Sequence, residues 1–151
     1  MNIHHATIIH NQPGSVYEAL IQPQALEVWM GAPTIARPEV GSSIEFQYDQ
    51  GKRTLKVEIT RLEAGKLVQW RVIQPVWPGE AASQVITWTL SPYENNTLVD
   101  FCMDGWSRDD GVYASVSYKW ASFMMRLRVY MGDTRDIAPF LSGEQNQGNS
   151  V

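Results

Sequence analysis

Between Glu39 and Asp104 apolar residues fall on every second position in five successive segments. Ile44, Phe46 and Tyr48 alternate in the first, Leu55, Val57 and Ile59 in the second, and Val68, Trp70 and Val72 in the third. Ile86, Trp88 and Leu90 follow, then Val99, Phe101 and Met103. The residues between them (Glu45, Gln47, Lys56, Glu58, Gln69, Arg71, Thr87, Thr89, Asp100) are mostly polar. Successive side chains leave a strand on opposite faces, so this period of two predicts an antiparallel sheet with one apolar face. Turn signals separate the segments at Asp49-Gln50-Gly51, Ala64-Gly65-Lys66, Pro75 to Glu80 and Glu94-Asn95-Asn96, as short antiparallel connections require.

An apolar sheet face has to be covered, and the flanking segments carry the helical period that can cover it. Upstream, Ile3 to His10 reads as a further strand, ended by Pro13-Gly14. Two short helices follow, the first capped by Ser15 and carrying Val16, Ala19 and Leu20, the second carrying Ala25, Leu26 and Trp29 after Pro23 and ending at Gly31. Downstream, Val116, Trp120, Phe123, Leu127, Tyr130 and Met131 recur at helical spacings, with Gly132 placed to stop a long helix that starts after Asp109-Asp110-Gly111. The expected architecture is α+β: six curved antiparallel strands wrapped around a long C-terminal helix, with two short helices after the first strand. A length of 151 residues fits one core, so residues 1–141 are expected to form one domain and the polar stretch 142–151 a flexible tail.

Several function classes are disfavoured by composition. The net charge of -4 comes from scattered acids and bases, which gives no electrostatic footprint for nucleic acid or an anionic membrane. No apolar run is long enough to span a bilayer, and MNIHHATII lacks the basic and apolar regions of a leader. A cytoplasmic protein is expected. Cys102 is the single cysteine and reads as a small strand residue rather than a reactive thiol. His4, His5 and His10 all fall on the first strand. His4 and His10 stand about 20 Å apart at the usual strand rise, too far to share a zinc, and the histidines read as surface or edge residues. No metal and no cofactor is expected.

Asp100 and Asp104 share one face of the fifth alternating segment, with Glu45 and Glu58 on others. A paired acid/base role is formally open to these carboxylates, but an inward Asp100 would expel Val99 and Phe101, so a solvated sheet exterior is expected. Arg126 and Arg128 flank the helix stripe and are expected to snorkel at its edges, where either is placed to meet a ligand carboxylate.

The segments VYEALIQPQALEVWMG, LEAGKLVQW and SQVITWTLSPYENNTLVDF, with the stretch from Trp120 to Met131, resemble a known family. It is the activator-of-heat-shock-protein-ATPase-homologue-like branch of the SRPBCC or START-related superfamily, with the helix-grip fold of the birch pollen allergen. That family typically reads V-W-x-A-L-T-x-P-x-x-L-x-x-W where this chain has Val16 to Trp29; Tyr17 and Ile21 depart from it. The resemblance covers nearly the whole chain and implies a helix-grip fold. It leaves function open, because one scaffold serves carriers, receptors, cyclases and co-chaperones.

Two readings of the aromatic and thioether content compete. Trp29, Phe46, Trp70, Trp88, Phe101, Met103, Trp120, Phe123 and Met124 fall at positions predicted to point into the sheet–helix space. They either pack as a plain core or line an apolar pocket, and the resemblance favours the pocket. Tyr48, Tyr113, Ser117 and Tyr118 are candidate polar contacts there, while Trp106 and the loop residue Trp77 are candidates for the pocket mouth or an interface. The sequence reading is therefore a non-enzymatic binder or carrier of a small hydrophobic or amphipathic molecule. Its alternatives are a protein-interaction domain, contacting a chaperone or a second copy, and last a cyclase or dehydratase, which would need an inward ionisable group.

Overall fold

The computed structural model describes residues 2–76, 83–107 and 111–135. Strand β1 (Asn2–Ile9) leads through helices α1 (Pro13–Ile21) and α2 (Pro23–Trp29) to a short strand β2 (Thr34–Ala36). Strands β3 (Ser43–Tyr48), β4 (Arg53–Glu63), β5 (Leu67–Gln74), β6 (Val85–Tyr93) and β7 (Asn96–Asp104) follow, then helix α3 (Gly111–Tyr130). All neighbours are antiparallel in the order β1-β7-β6-β5-β4-β3-β2. Strands β2 to β7 are thus a meander, and α1 and α2 carry the chain between β1 and β2, which lie at opposite edges of the sheet.

The sheet has seven strands rather than the expected six. The additional one, β2, is three residues at an edge, beginning right after Pro33 and ending two residues before Pro38. Three residues show no alternation, and proline-flanked edge strands escape a periodicity reading. Register shifts between Lys56 and Val57 and between Ile59 and Arg61 interrupt the β4–β5 ladder, and such irregularities bend a strand and increase its twist.

The alternation is realised on every long strand. Ile44, Phe46, Leu55, Val57, Ile59, Val68, Trp70, Val72, Ile86, Trp88, Leu90, Val99, Phe101 and Met103 are all buried. Fully burying such a side chain contributes roughly 1.5–3 kcal/mol, and that apolar face is what holds the helices onto the sheet. Helix α1 starts earlier than expected, at Pro13, with no side-chain cap. Proline fits the first helical position because its missing N–H is not needed there, and Ser15 lies inside the helix. Helix α3 buries Val116, Trp120, Met124, Leu127 and Arg128, while Tyr130 is 42% exposed and lies off the expected stripe. Gly132 (φ +82) ends the helix in a Schellman arrangement, with Gly132 N–H on the Val129 carbonyl and Asp133 N–H on that of Arg128. Trp77 and the segment 142–151 lie outside the described residues.

Candidate functional site

The expected pocket residues converge, and their rings meet one another. Trp88 lies at the centre, with ring centroids 5.8 Å from Trp29, 5.7 Å from Trp70, 4.9 Å from Phe101 and 6.1 Å from Trp120. Phe46 stands 6.3 Å from Trp70, and Phe101 stacks on Trp120 at 5.1 Å. Mostly edge-on or tilted contacts at these separations are favourable aromatic packing. Trp29, Phe46, Trp70, Trp88, Phe101, Met103 and Trp120 are at most 1% exposed. The Trp29 indole donates to the Ala19 carbonyl at 2.8 Å, tying α2 to α1. Trp106 is also buried, edge-on to Tyr113 at 5.5 Å.

Open volume begins where this cluster ends. Phe123, 5.3 Å from Trp120, lines a cleft of about 540 Å³ with Met30, Gly31, Tyr48, Asp49, Arg53, Val76, Lys119, Ser122 and Arg126. Its walls come from the end of α2, from the β3–β4 turn with the end of β5, and from one face of α3. Lys119, Ser122, Phe123 and Arg126 share that face because helical residues three, four and seven apart stand above one another. The turn is tight: Asp49, Gln50 and Gly51 all have positive φ. Arg53 donates to Asp49 (3.4 Å) and to the Val76 carbonyl (3.0 Å). Arg126 donates through Nε to the Trp29 carbonyl at 2.7 Å and through Nη2 to that of Val28 at 3.4 Å, satisfying groups that the end of α2 leaves open. The Tyr48 hydroxyl donates to the Met30 carbonyl at 3.2 Å. Burial pushes that phenol up to about 12, against a smaller lowering by Arg126.

A sequence profile of the family described as Activator of Hsp90 ATPase homolog 1-like protein matches residues 11–132, most of the chain. The chain belongs to that family. Among solved structures, this homolog 1-like chain is similar to the Aha1 dimer from Colwellia psychrerythraea, at 27% identity over 91% of this chain and 97% of that one, with a TM-score of 0.76. A Mesorhizobium loti protein (23% identity, 89% and 98% coverage, TM-score 0.75) and a Staphylococcus saprophyticus protein (21%, 87% and 92%, 0.70) share the fold. No curated protein sequence matches the chain. The helix-grip architecture implied by the sequence resemblance is therefore the one observed. Every residue of the cleft falls within the span matched by the Activator of Hsp90 ATPase homolog 1-like profile, whereas β1 precedes it.

Strand β1 is an edge strand of the sheet. His5 was expected at the surface or edge, on the face opposite His4 and His10; on that edge strand it faces inward, half-buried, with its ring 6.2 Å from Phe101. The parity of buried Ile3 and Ile9 on the same strand carried that signal. Its Nε2 is 3.1 Å from the Ser117 carbonyl and 3.2 Å from Ser117 Oγ. A protonated Nε2 donates to the carbonyl, which only accepts, whereas an unprotonated Nε2 accepts from the serine hydroxyl. His5 also lines a smaller cleft of about 210 Å³ with Thr7, Met124, Met125 and Arg128. His4 points outward and meets Asp100 at 2.9 Å, with Asp104 bonded to Asn2, so the two aspartates face away from the interior as expected.

Arg128 departs from the expectation. It does not snorkel: it is 6% exposed and reaches Asp133 at 3.4 Å. A buried guanidinium needs an anion, and Asp133, just past the helix, supplies it. Of the remaining candidates, Tyr118 is 71% exposed and Tyr113 donates its hydroxyl to the Asn2 carbonyl. Among the described residues no cluster of His, Cys, Asp or Glu suits a metal ion, and no helix is long and apolar enough to cross a membrane. Arg53 and Lys119 were not anticipated, because a cation on a turn or an exposed helix face looks like any solvated charge.

Proposed function

We propose that this domain binds a small amphipathic molecule, held in the cleft between α3 and the α2–β3–β4 side rather than deeper among the tryptophans. The observation that supports it is the cleft itself. Its volume of about 540 Å³ falls within the roughly 300–1,000 Å³ usual for ligand sites. An apolar floor of Met30, Val76 and Phe123 is rimmed by a few polar groups, and burial of apolar surface there would supply affinity at about 25 cal/mol per Å². The aromatic cluster serves as its rigid base, and Phe123 joins the two. Titration with decanol, followed by amide and methyl chemical shifts, should move the signals of Met30, Tyr48, Val76 and Phe123. A titration that moves none of them, or moves only residues elsewhere, sinks the reading.

Association with a second copy is a further reading favoured by the outer side of α3. Tyr118, Met125 and Val129 are exposed there at spacings of seven and four, one continuous face, and the Colwellia psychrerythraea relative was solved as a dimer. Light scattering after size exclusion tests it: a dimer is expected, and Tyr118→Lys should yield monomer. A monomeric native chain at high micromolar concentration ends this reading.

A further inference from the structure

We propose that the cleft is selective for an oxyanion: Arg126 and Lys119 together hold the carboxylate or phosphate head of an amphipathic molecule whose apolar body lies on Met30, Val76 and Phe123. This rests on the reading of the cleft as a ligand site and names what that site would recognise.

The charge inventory of the cleft is lopsided. Among the described residues Arg53, Lys119 and Arg126 line it against the single acid Asp49, in a chain that carries 16 acids and 12 bases. Asp49 is already engaged by Arg53, which also donates to the Val76 carbonyl. Neither Lys119 nor Arg126 has a carboxylate within ion-pairing distance among the described residues. Among the described residues, two cations without counter-charges thus flank the apolar lining of the cleft, and an anionic head group would balance them.

The two cations are also placed for joint action. They lie seven residues apart on α3, about 10 Å along its axis, with Ser122 and Phe123 between them on the same face. Arg126 is held from behind: Nε and Nη2 are committed to the Trp29 and Val28 carbonyls, leaving three of the five guanidinium N–H groups for a ligand. A pre-positioned planar fork loses little entropy when it binds an oxyanion. Lys119 is exposed and makes no hydrogen bond among the described residues, so its ammonium is free to swing toward the same head group. Ser122 Oγ donates its proton to the Tyr118 carbonyl at 3.1 Å, and this neutral side chain adds no negative charge to the cleft.

Calorimetric titration with four probes of equal chain length tests the idea: decanoate, decyl phosphate, decanol and decyltrimethylammonium. At low ionic strength at least one anion should bind about tenfold tighter than decanol, the cation should bind weakest, and the preference should shrink with added salt. The tighter of the two anions identifies the head group. Lys119→Gln, at an exposed position that does not threaten folding, should remove several-fold of the preference, read as the ratio of anion to decanol affinity in the same variant; Arg126→Gln should remove more. Equal binding of decanol and both anions overturns the inference and leaves the cleft reading standing. An anion preference that survives both substitutions also overturns it, since the charge is then read elsewhere. Binding of none of the four removes the cleft reading and the inference with it.

Discussion

A Cβ at Gly31 would stand 2.7 Å from Nη2 of Arg126. Gly31 also has φ +73, so its bare backbone both turns the chain after α2 and makes room for the guanidinium that caps that helix. Gly31→Ala should therefore be destabilised by about 1–2 kcal/mol from backbone strain alone, with a further loss from displacing Arg126. The second part is separable. In an Arg126→Met background the same substitution should cost less, with a coupling of about 0.5–1 kcal/mol between the two sites in urea denaturation. Strict additivity would mean that Arg126 does not depend on the glycine.

Asp133 ties the end of α3 to the end of β1. Its Oδ2 accepts the backbone N–H of His10 at 2.9 Å, and its Oδ1 meets Arg135 at 3.0 Å and Arg128 at 3.4 Å. Burial disfavours the charge, but the hydrogen bonds from Arg135 and His10 and the nearby Arg128 outweigh it and hold the carboxyl well below the usual carboxylate range. A folded-state value below the unfolded one means that the stabilisation is complete above about pH 4 and is lost as pH falls from there toward the folded value. Asp133→Asn should cost on the order of 3 kcal/mol at neutral pH. It should also flatten the acid limb of a stability–pH curve below pH 4, which denaturation at a series of pH values measures.

Tyr48 gives the opposite pH dependence. Its phenol is raised from 10.0 to about 12, first by burial and against the pull of Arg126. The unfolded chain releases this proton first, so the stabilisation is fully present below pH 10 and declines as pH rises toward 12. Ultraviolet titration at the phenolate band should show one tyrosine ionising after the others, and Tyr48→Phe should remove that late step. Arg126→Gln should delay it further, because the lowering charge is gone.

The sheet was legible in the sequence because a one-sided sheet writes its burial directly into a period of two, and every inward residue from Ile44 to Met103 follows it. The three-residue β2 was not, since it is too short to carry a period. The cleft was only half legible. Phe123 belonged to the expected pocket set, yet Lys119 and Arg53 are polar residues on a helix face and a turn, and only the docking of α3 against the β3–β4 end brings them together. The burial of Arg128 is not legible in the helix stripe because its partner Asp133 lies beyond the end of α3. The parity of Ile3 and Ile9 places His5 on the inward side of the edge strand β1.

Trp88 shows how the interior distributes its packing between shape and polarity. Its ring touches four aromatic neighbours, but its indole Nε1 is buried with no hydrogen-bond acceptor among the described residues. The two properties pull in opposite directions. Trp88→Ala removes the ring and leaves a cavity bounded by rigid neighbours that cannot collapse into it, so a loss of about 3–5 kcal/mol is expected. Trp88→Phe keeps much of the aromatic contact and also deletes a buried, unsatisfied donor, a defect worth about 1–3 kcal/mol. The phenylalanine variant should therefore lose less than half of what the alanine variant loses in urea denaturation. Near-UV circular dichroism should separate them as well, with the signal of the coupled tryptophans diminished in both but a cooperative thermal transition kept by Trp88→Phe. A phenylalanine variant as unstable as the alanine one would show that the indole N–H has a partner whose loss matters.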